Sequence, residues 1–254
     1  MNMRTTSSAR RHVTHWRKQS GIWIALLSCH LVGLLQPAFA AETWQSALAV
    51  MPLPPTVAEL NRTNVAPVLL NAFQSNQVVK ALILMPGATD EFYFFKRATV
   101  KLTRDTATLL DAVTALTNQT LVRATFRPPL LLLHTAEDPL EPMFSVKRPD
   151  LVEKLRARPF VPHAVYDDKD WDFLLPILTT ALNAEFRPQQ KSSDSWHFYR
   201  HTFAAWNLNG WEALEAISLA GKTTFTLERT LLRRKPRVVF AGDLRAGASP
   251  VPKQ

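Results

Sequence analysis

The stretch FYFFKRATVKLTRDTATLLDAVTALTNQTLVRATFRPPLLLLHT, residues 92–135, decides the fold because a second version of it follows later in the chain. That version is FYRHTFAAWNLNGWEALEAISLAGKTTFTLERTLLRRKPRVVFAGD, residues 198–243. The helical centre LDAV at 110–113 aligns with LEAI at 214–217, an offset of 104. A duplicated unit predicts that both halves bury equivalent apolar faces with the same order of elements: helix, strand, strand, helix, strand, strand.

The first helix of each half is predicted from an apolar segment that contains one proline. VAPVLLNAF in the first half aligns with LLPILTTAL in the second. Thr63 and Asp172 are the predicted N-caps, so that Pro67 and Pro176 both fall in a first helical turn. Proline is tolerated there because those N–H groups have no acceptor within the helix.

The second helices carry the strongest periodic signal. In the first half, one apolar stripe is formed by Leu109, Ala112, Val113 and Leu116. Asp105 or Thr106 is the predicted cap of that helix. Its counterpart is predicted to start at Asn209, with Glu212 completing a capping box, and to end at Gly221 as a left-handed C-cap.

Strands are predicted from alternation and from proline breaks. Val122, Ala124 and Phe126 share one face of a strand that Pro128-Pro129 ends, and Leu130–His134 returns beside it. In the second half the hairpin alternates through Phe225 and Leu227 and returns over 237–241. The other predicted strands are 78–85, 91–102, 163–167, 184–188 and 195–208.

This pattern resembles the short amino-terminal domain of secretins and TonB-dependent receptors, the STN-like domain. The residues that carry the resemblance are VKLTRDTATLLDAVTALTNQTLVRATFRPPLLLLHT and WNLNGWEALEAISLAGKTTFTLERT with RVVFAG. The resemblance implies two helices packed between two small sheets in each half. The first half departs from the family pattern, because Asn118-Gln119 stands where the family has glycine. No secretin pore or receptor barrel follows, so the roles of those larger proteins are not implied.

The predicted fold class is therefore α+β, with two tandem small domains. The boundaries are a signal peptide at 1–40, an N-terminal segment at 41–62, a first STN-like repeat at 63–135, a linker with a short helix at 136–159, a second repeat at 160–243 and a disordered tail at 244–254.

The first 40 residues have the pattern of an export signal. Five basic residues precede the apolar run 21–36, and Ala38-Phe39-Ala40 is a small-x-small cleavage pattern. Cleavage near Ala40 predicts a periplasmic or extracellular protein. An uncleaved membrane anchor and lipidation at Cys29 are the alternatives. Without the leader the chain has 25 basic and 21 acidic residues, a net charge of +4, which gives no reason to expect nucleic-acid binding.

Histidine and aspartate patterns give weak candidates for a site. His197 and His201 lie four residues apart on a predicted strand, which separates them by about 13 Å and prevents joint metal ligation; we expect both to face solvent. His134 and His163 have no partner in the sequence. Asp168, Asp170 and Asp172 resemble the start of a calcium loop but lack its glycine and its last acidic ligand, so a solvated turn is expected. Glu137, Asp138 and Glu141 cluster on the linker.

A basic hairpin is a candidate contact surface, formed by Arg233, Arg234, Lys235 and Arg237. It would suit an anionic partner, and a solvated turn explains it as well. The mature chain has no cysteine and no glycine-rich phosphate loop, so no thiol chemistry, metal or cofactor is expected.

The leading prediction for function is a non-catalytic exported protein that binds a protein partner in the envelope or periplasm. The alternative is a protein that binds a ligand or glycan between the two repeats. A hydrolase that uses His134 or His163 with a linker carboxylate comes third.

Overall fold

The structure, a computed structural model, describes residues 44–85, 99–103, 107–136, 140–141, 144–146, 149–160, 164–188, 200–229 and 236–243. These residues belong to one compact unit, Thr43–Gln254. The predicted α+β class is confirmed. The signal peptide, Cys29 and the tail 244–254 lie outside the described residues. Within the described part, no helix has the length and apolar character needed to cross a membrane.

Helices and strands alternate irregularly along the chain. The helices are α1 (44–49), α2 (Val65–Ala72), α3 (Leu109–Gln119), α4 (Pro149–Arg156), α5 (Trp171–Leu182) and α6 (Gly210–Ala220). The strands are β1 (Glu59–Leu60), β2 (Ala81–Leu84), β3 (Val100–Lys101), β4 (Arg123–Arg127), β5 (Leu130–His134), β6 (Phe144–Val146), β7 (Ala164–Lys169), β8 (Glu185–Pro188), β9 (His201–Ala205), β10 (Thr223–Arg229) and β11 (Pro236–Asp243).

The same strand-pairing scheme occurs in both halves. In the first half, β1 pairs with β3 antiparallel, β2 with β5 parallel, and β4 with β5 antiparallel. In the second half, β7 pairs with β9, β8 with β11, and β10 with β11, with the same three orientations. Apart from α1, α4 and β6, each half therefore consists of two helices, a pair of strands and a group of three strands.

The halves are nevertheless not separate modules, so the predicted tandem arrangement of two small domains is not confirmed. Strand β2 of the first half pairs antiparallel with β9 of the second, from Ala81↔Ala205 to Leu84↔Thr202. This ladder joins five strands into one sheet with the order β4-β5-β2-β9-β7. Because β9 hydrogen-bonds to β2, the edge that the first half would otherwise expose is covered by the second half.

The shared sheet is the middle layer of the molecule. Ile83 and Leu132 point to a core formed with α4, α5 and α6. Leu82 and Leu131 point the opposite way, to a core formed with α2 and α3. This double burial explains why β2 and β5 have continuous apolar sequences, ALIL and LLLLH, in place of alternation. Ion pairs add to the junction, since Lys80 and Glu212 approach to 3.4 Å.

The outer sheet of the second half has the order β6-β10-β11-β8. Phe225 and Leu227 of β10 are buried against the helices, as predicted. Thr224, Thr226 and Glu228 alternate with them on the opposite, half-buried face. Strand β10 is thus apolar on one side only.

The second helices begin with equivalent capping boxes. Thr108 and Asp111 form the box of α3, so the predicted caps Asp105 and Thr106 are wrong. Asn209 and Glu212 form the box of α6, which confirms the prediction. The caps lie 101 residues apart, so the predicted offset of 104 is displaced by about one helical turn. The apolar pattern alone does not distinguish the two offsets, because a shift of three residues keeps an apolar stripe on the same helix face. The predicted stripe of α3 is buried throughout.

The first helices begin elsewhere than predicted. Asn64, not Thr63, is the N-cap of α2. Asp170, not Asp172, caps α5, and its carboxylate accepts a hydrogen bond from the Phe173 N–H at 3.0 Å. Consequently Pro67 lies in a first turn as predicted, whereas Pro176 lies beyond it, inside the helix.

Two segments outside the predicted repeats also supply strands to the fold. Within the segment 41–62, strand β1 belongs to the first half, because it pairs with β3. The linker 136–159 contains the predicted short helix as α4, and its strand β6 extends the outer sheet by pairing with β10. Phe144 of β6 stacks on Phe225 with ring centroids 5.3 Å apart. The linker is therefore partly built into the fold.

Candidate functional site

The predicted basic hairpin does not present a described cationic surface. Arg233, Arg234 and Lys235 lie outside the described residues. Arg237 lies on β11, where its Nη2 atom is 3.3 Å from Oε2 of Glu185 on the neighbouring strand β8. Arg237 is therefore engaged in a cross-strand ion pair within the sheet.

His201 is fully buried, so the expectation that it faces solvent is wrong. It is the first residue of β9, and its imidazole packs edge-to-face with the Trp171 ring, with centroids 4.5 Å apart. Its Nδ1 lies 3.1 Å from the Lys169 carbonyl oxygen, so Nδ1–H donates to that oxygen. Among the described residues, Nε2 has no hydrogen-bond partner. Burial lowers the pKa of His201 to about 4, against smaller opposing effects of the Lys169 carbonyl and Asp170.

Gly221 is required by this histidine and not by its own backbone conformation. The predicted left-handed C-cap is wrong, because Gly221 has φ −99°. A Cβ atom at this position would lie 2.2 Å from Nε2 of His201. The end of α6 can therefore approach β9 only because residue 221 has no side chain. His201 thus locks β7, β9 and α6 together as a neutral group, which is a structural role.

His134 lies in a hydrogen-bonded pair with a threonine. Its Nε2 is 2.8 Å from Oγ1 of Thr125 on β4, and its Nδ1 is 2.6 Å from the carbonyl oxygen of Thr135. A hydroxyl, an imidazole and an orienting acceptor are the elements of nucleophilic catalysis. His134 is only 4% exposed, however, and does not line the groove described below, so the pair serves to tie β4 to β5. His163 and His197 lie outside the described residues.

The acidic candidates do not converge. Asp170 caps α5, and Arg200 lies within ion-pair distance of both Asp168 and Asp170, which gives a charged turn as expected. Glu141 is exposed, and Glu137 and Asp138 lie outside the described residues. Within the described ranges, no group of three or more histidine, cysteine, aspartate or glutamate residues is placed to hold a metal ion.

The described surface has a groove of about 280 Å³ where helix α3 ends and strand β4 begins. It is lined by Thr117, Thr120, Leu121, Val122, Arg123, Thr135 and Ala136. Leu121 stands at its rim and is 69% exposed, which is unusual for a leucine next to a strand. The groove thus combines an exposed apolar side chain, threonines and one arginine.

Among the described strands, β4 is the outermost of the shared sheet, and the groove adjoins its outer edge. Arg123 and Arg127 are paired with His134 and Leu130 across the ladder to β5. Alternate residues of an antiparallel strand direct their N–H and C=O groups to opposite sides, so Ala124 and Phe126 direct theirs outward. Between described residues, no backbone hydrogen bond reaches this outer side of β4.

The two arginines of β4 differ in their surroundings. Arg127 is 3.8 Å from Glu215 of α6, and it also donates to the carbonyl oxygen of Leu140 at 3.3 Å. Burial raises the pKa of Glu215, and the charge of Arg127 opposes that rise. Arg123 is exposed and, in the part of the chain that the structure describes, makes no ion pair or hydrogen bond.

This groove could not be predicted from the sequence. It depends on the end of a helix meeting the end of a hairpin, and no motif marks that meeting. The one signal was Leu121, an apolar residue placed after the helix stripe had ended and before the strand alternation began.

Comparison with known proteins gives no match: no family model, no curated protein and no solved structure is significantly similar to this chain.

Proposed function

We propose that this chain is an exported, non-catalytic adaptor of the cell envelope or periplasm, and that it binds an extended segment of a partner protein along β4. The observation that carries the proposal is the groove of about 280 Å³ beside the outer edge of that strand, with which no described strand pairs. A strand that joins an open sheet edge gains main-chain hydrogen bonds, while adjacent pockets select its side chains.

The outer side of β4 has the groups that strand addition requires. Ala124 and Phe126 offer outward N–H and C=O groups, and Leu121 offers apolar surface at the end where the groove opens. The ring of Phe126 already packs against Trp44 with centroids 6.4 Å apart, so the far end of β4 is partly covered. The segment 121–124 is therefore the part of the edge best placed to receive a partner.

Two further features support the proposal. The leader pattern at 1–40 favours export, with cleavage near Ala40. The pairing scheme that both halves share, two helices with a pair and a triplet of strands, agrees with the fold that the STN-like resemblance implies. In this proposal the two STN-like units are fused through β2 and β9.

The alternative, a ligand or glycan site between the repeats, has less support. The ladder between β2 and β9 and the side chains of both cores occupy the junction of the halves. The residues that line the groove lie between positions 117 and 136, in the first repeat and at the start of the linker, and none comes from the second repeat. A hydrolase is supported only by the buried pair of Thr125 and His134.

Site-specific photocrosslinking in the native envelope tests the proposal. A photoreactive residue at position 121 should give a discrete adduct with a partner protein. The matched control is position 50, because Val50 is 78% exposed but does not line the groove. Leu121→Asp should abolish co-purification of that partner at unchanged thermal stability, since exposed substitutions change stability by roughly 0.5 kcal/mol or less. Equal adducts at both positions, or none at 121, would refute the proposal.

A further inference from the structure

We propose that the segment bound by β4 carries a carboxylate side chain opposite Arg123, flanked by apolar residues. The inference rests on the proposed function and specifies the chemistry of the partner. It starts from the charge of the open edge, where Arg123 is exposed and has no described partner.

The contrast with neighbouring arginines indicates that Arg123 is the one position of β4 with unmet charge. Arg127, on the same face of the same strand, is neutralised by Glu215. Arg237 of the outer sheet is paired with Glu185. A partner strand therefore meets a positive charge at 123 and a compensated one at 127. We therefore expect the partner segment to carry a single acidic residue opposite Arg123 and not a run of acidic residues.

The spacing of strands places that acidic residue within reach. Residues directly opposite each other on paired strands have Cβ atoms about 4.5–5.5 Å apart. A glutamate or aspartate opposite Arg123 can thus meet the guanidinium, whose planar fork accepts a carboxylate through two N–H donors. Its two neighbours in the partner strand fall on the other face, with Val122 and Ala124. Those positions favour apolar side chains.

A second copy of this chain does not fit the same edge. If β4 paired antiparallel with β4 of another copy about Arg123, the two uncompensated Arg123 side chains would stand directly opposite each other. Like charges directly opposite each other destabilise a strand pair. The unpaired Arg123 therefore disfavours pairing between two copies of β4 and favours an acidic partner. Charged residues on edge strands limit aggregation of natural sheets in the same way.

Binding of labelled peptides to the purified protein tests the inference. The probes are the fluorescently labelled peptide acetyl-Ser-Thr-Val-Glu-Val-Thr-Val-Ser-amide and two versions of it with Gln or Lys in place of Glu. Binding of each peptide is measured by fluorescence anisotropy. We expect the Glu peptide to bind about fivefold more tightly than the Gln peptide, the upper size for a partly exposed ion pair. This preference should shrink as salt is raised.

Charge reversal gives the decisive comparison. Arg123→Glu should reverse the order, so that the Lys peptide binds more tightly than the Glu peptide. Arg200→Gln is the matched control, because Arg200 is also exposed but lies beside β9; the wild-type order should persist.

Two results would overturn the inference. One is equal binding of the Glu and Gln peptides with no effect of Arg123→Glu, and the other is no binding of any peptide. Neither result decides the proposed function, because the adduct at position 121 is measured without any assumption about the partner's charge.

Discussion

Acidification should destabilise the fold through His201. The pKa of this imidazole is about 4 in the folded protein and near 6.5 in an unfolded chain. The unfolded chain therefore binds the proton first as the pH falls, and the folded state loses stability between about pH 6.5 and pH 4. Above this window both states are neutral, and below it both are charged, so the contribution is constant outside it.

The magnitude follows from the same two values. As the pH falls from about 7 to about 4.5, this difference in pKa should lower the free energy of unfolding by about 2.5 kcal/mol, at about 1.36 kcal/mol per pH unit. The physical cause is that a charged imidazole would sit fully buried beside Trp171, with Gly221 against an Nε2–H that has no described acceptor. The groups that face it, Lys169 through its carbonyl oxygen and Asp170 through its charge, only partly offset this cost.

Urea unfolding of the wild type and of His201→Leu across this pH range measures the effect. At neutral pH the variant should be the less stable protein, because it loses the hydrogen bond to Lys169. Towards about pH 4.5 the difference should shrink by about 2.5 kcal/mol, since the leucine cannot titrate. Parallel stability curves for the two proteins would refute the reasoning.

Two further predictions concern single contacts. Gly221→Ala should lower the melting temperature, because its Cβ would lie 2.2 Å from His201 Nε2; overpacking of this kind costs about 1–3 kcal/mol, and replacing His201 with serine in the same chain should recover part of the loss. Asn209→Ala should cost about 1 kcal/mol in denaturant unfolding, because its side chain accepts from the Trp211 and Glu212 N–H groups, whereas Asn209→Asp should cost much less.

Local patterns predicted most of the elements correctly. The stripe of α3, the capping box at Asn209 and the alternation of β10 each involve residues a few positions apart, where periodicity is informative. The N-cap residues were harder to predict, because several neighbouring polar residues can each cap a helix. Asp172 looked suitable from sequence, but Asp170 is the residue whose carboxylate meets the Phe173 N–H.

The association of the halves could not be predicted from local patterns. Nothing in ALIL or HTFAA states that β2 and β9 pair with each other, because their contact joins residues more than one hundred positions apart. The sequence did hold an indirect sign. The continuous apolar runs of β2 and β5 indicate strands covered on both faces, which two independent small domains would not provide.

Neither the burial of His201 nor the presence of the groove could be predicted, for a related reason. A histidine in a strand usually faces solvent or a partner, and its fit against a glycine twenty positions later depends on the packing of α6. The groove depends on where Thr120 and Thr135 meet, at the ends of two different elements. Both features arise from tertiary packing and leave no periodic trace.

The outer sheet has a consequence for how far this architecture can grow. In the first half, Leu130 and Leu132 turn towards the second half and are covered by its helices. On the outer sheet, the face of β10 that is turned away from the helices carries Thr224, Thr226 and Glu228, which give a further repeat little apolar surface to pack against. Stacking a third repeat on this face would therefore require apolar substitutions along β10.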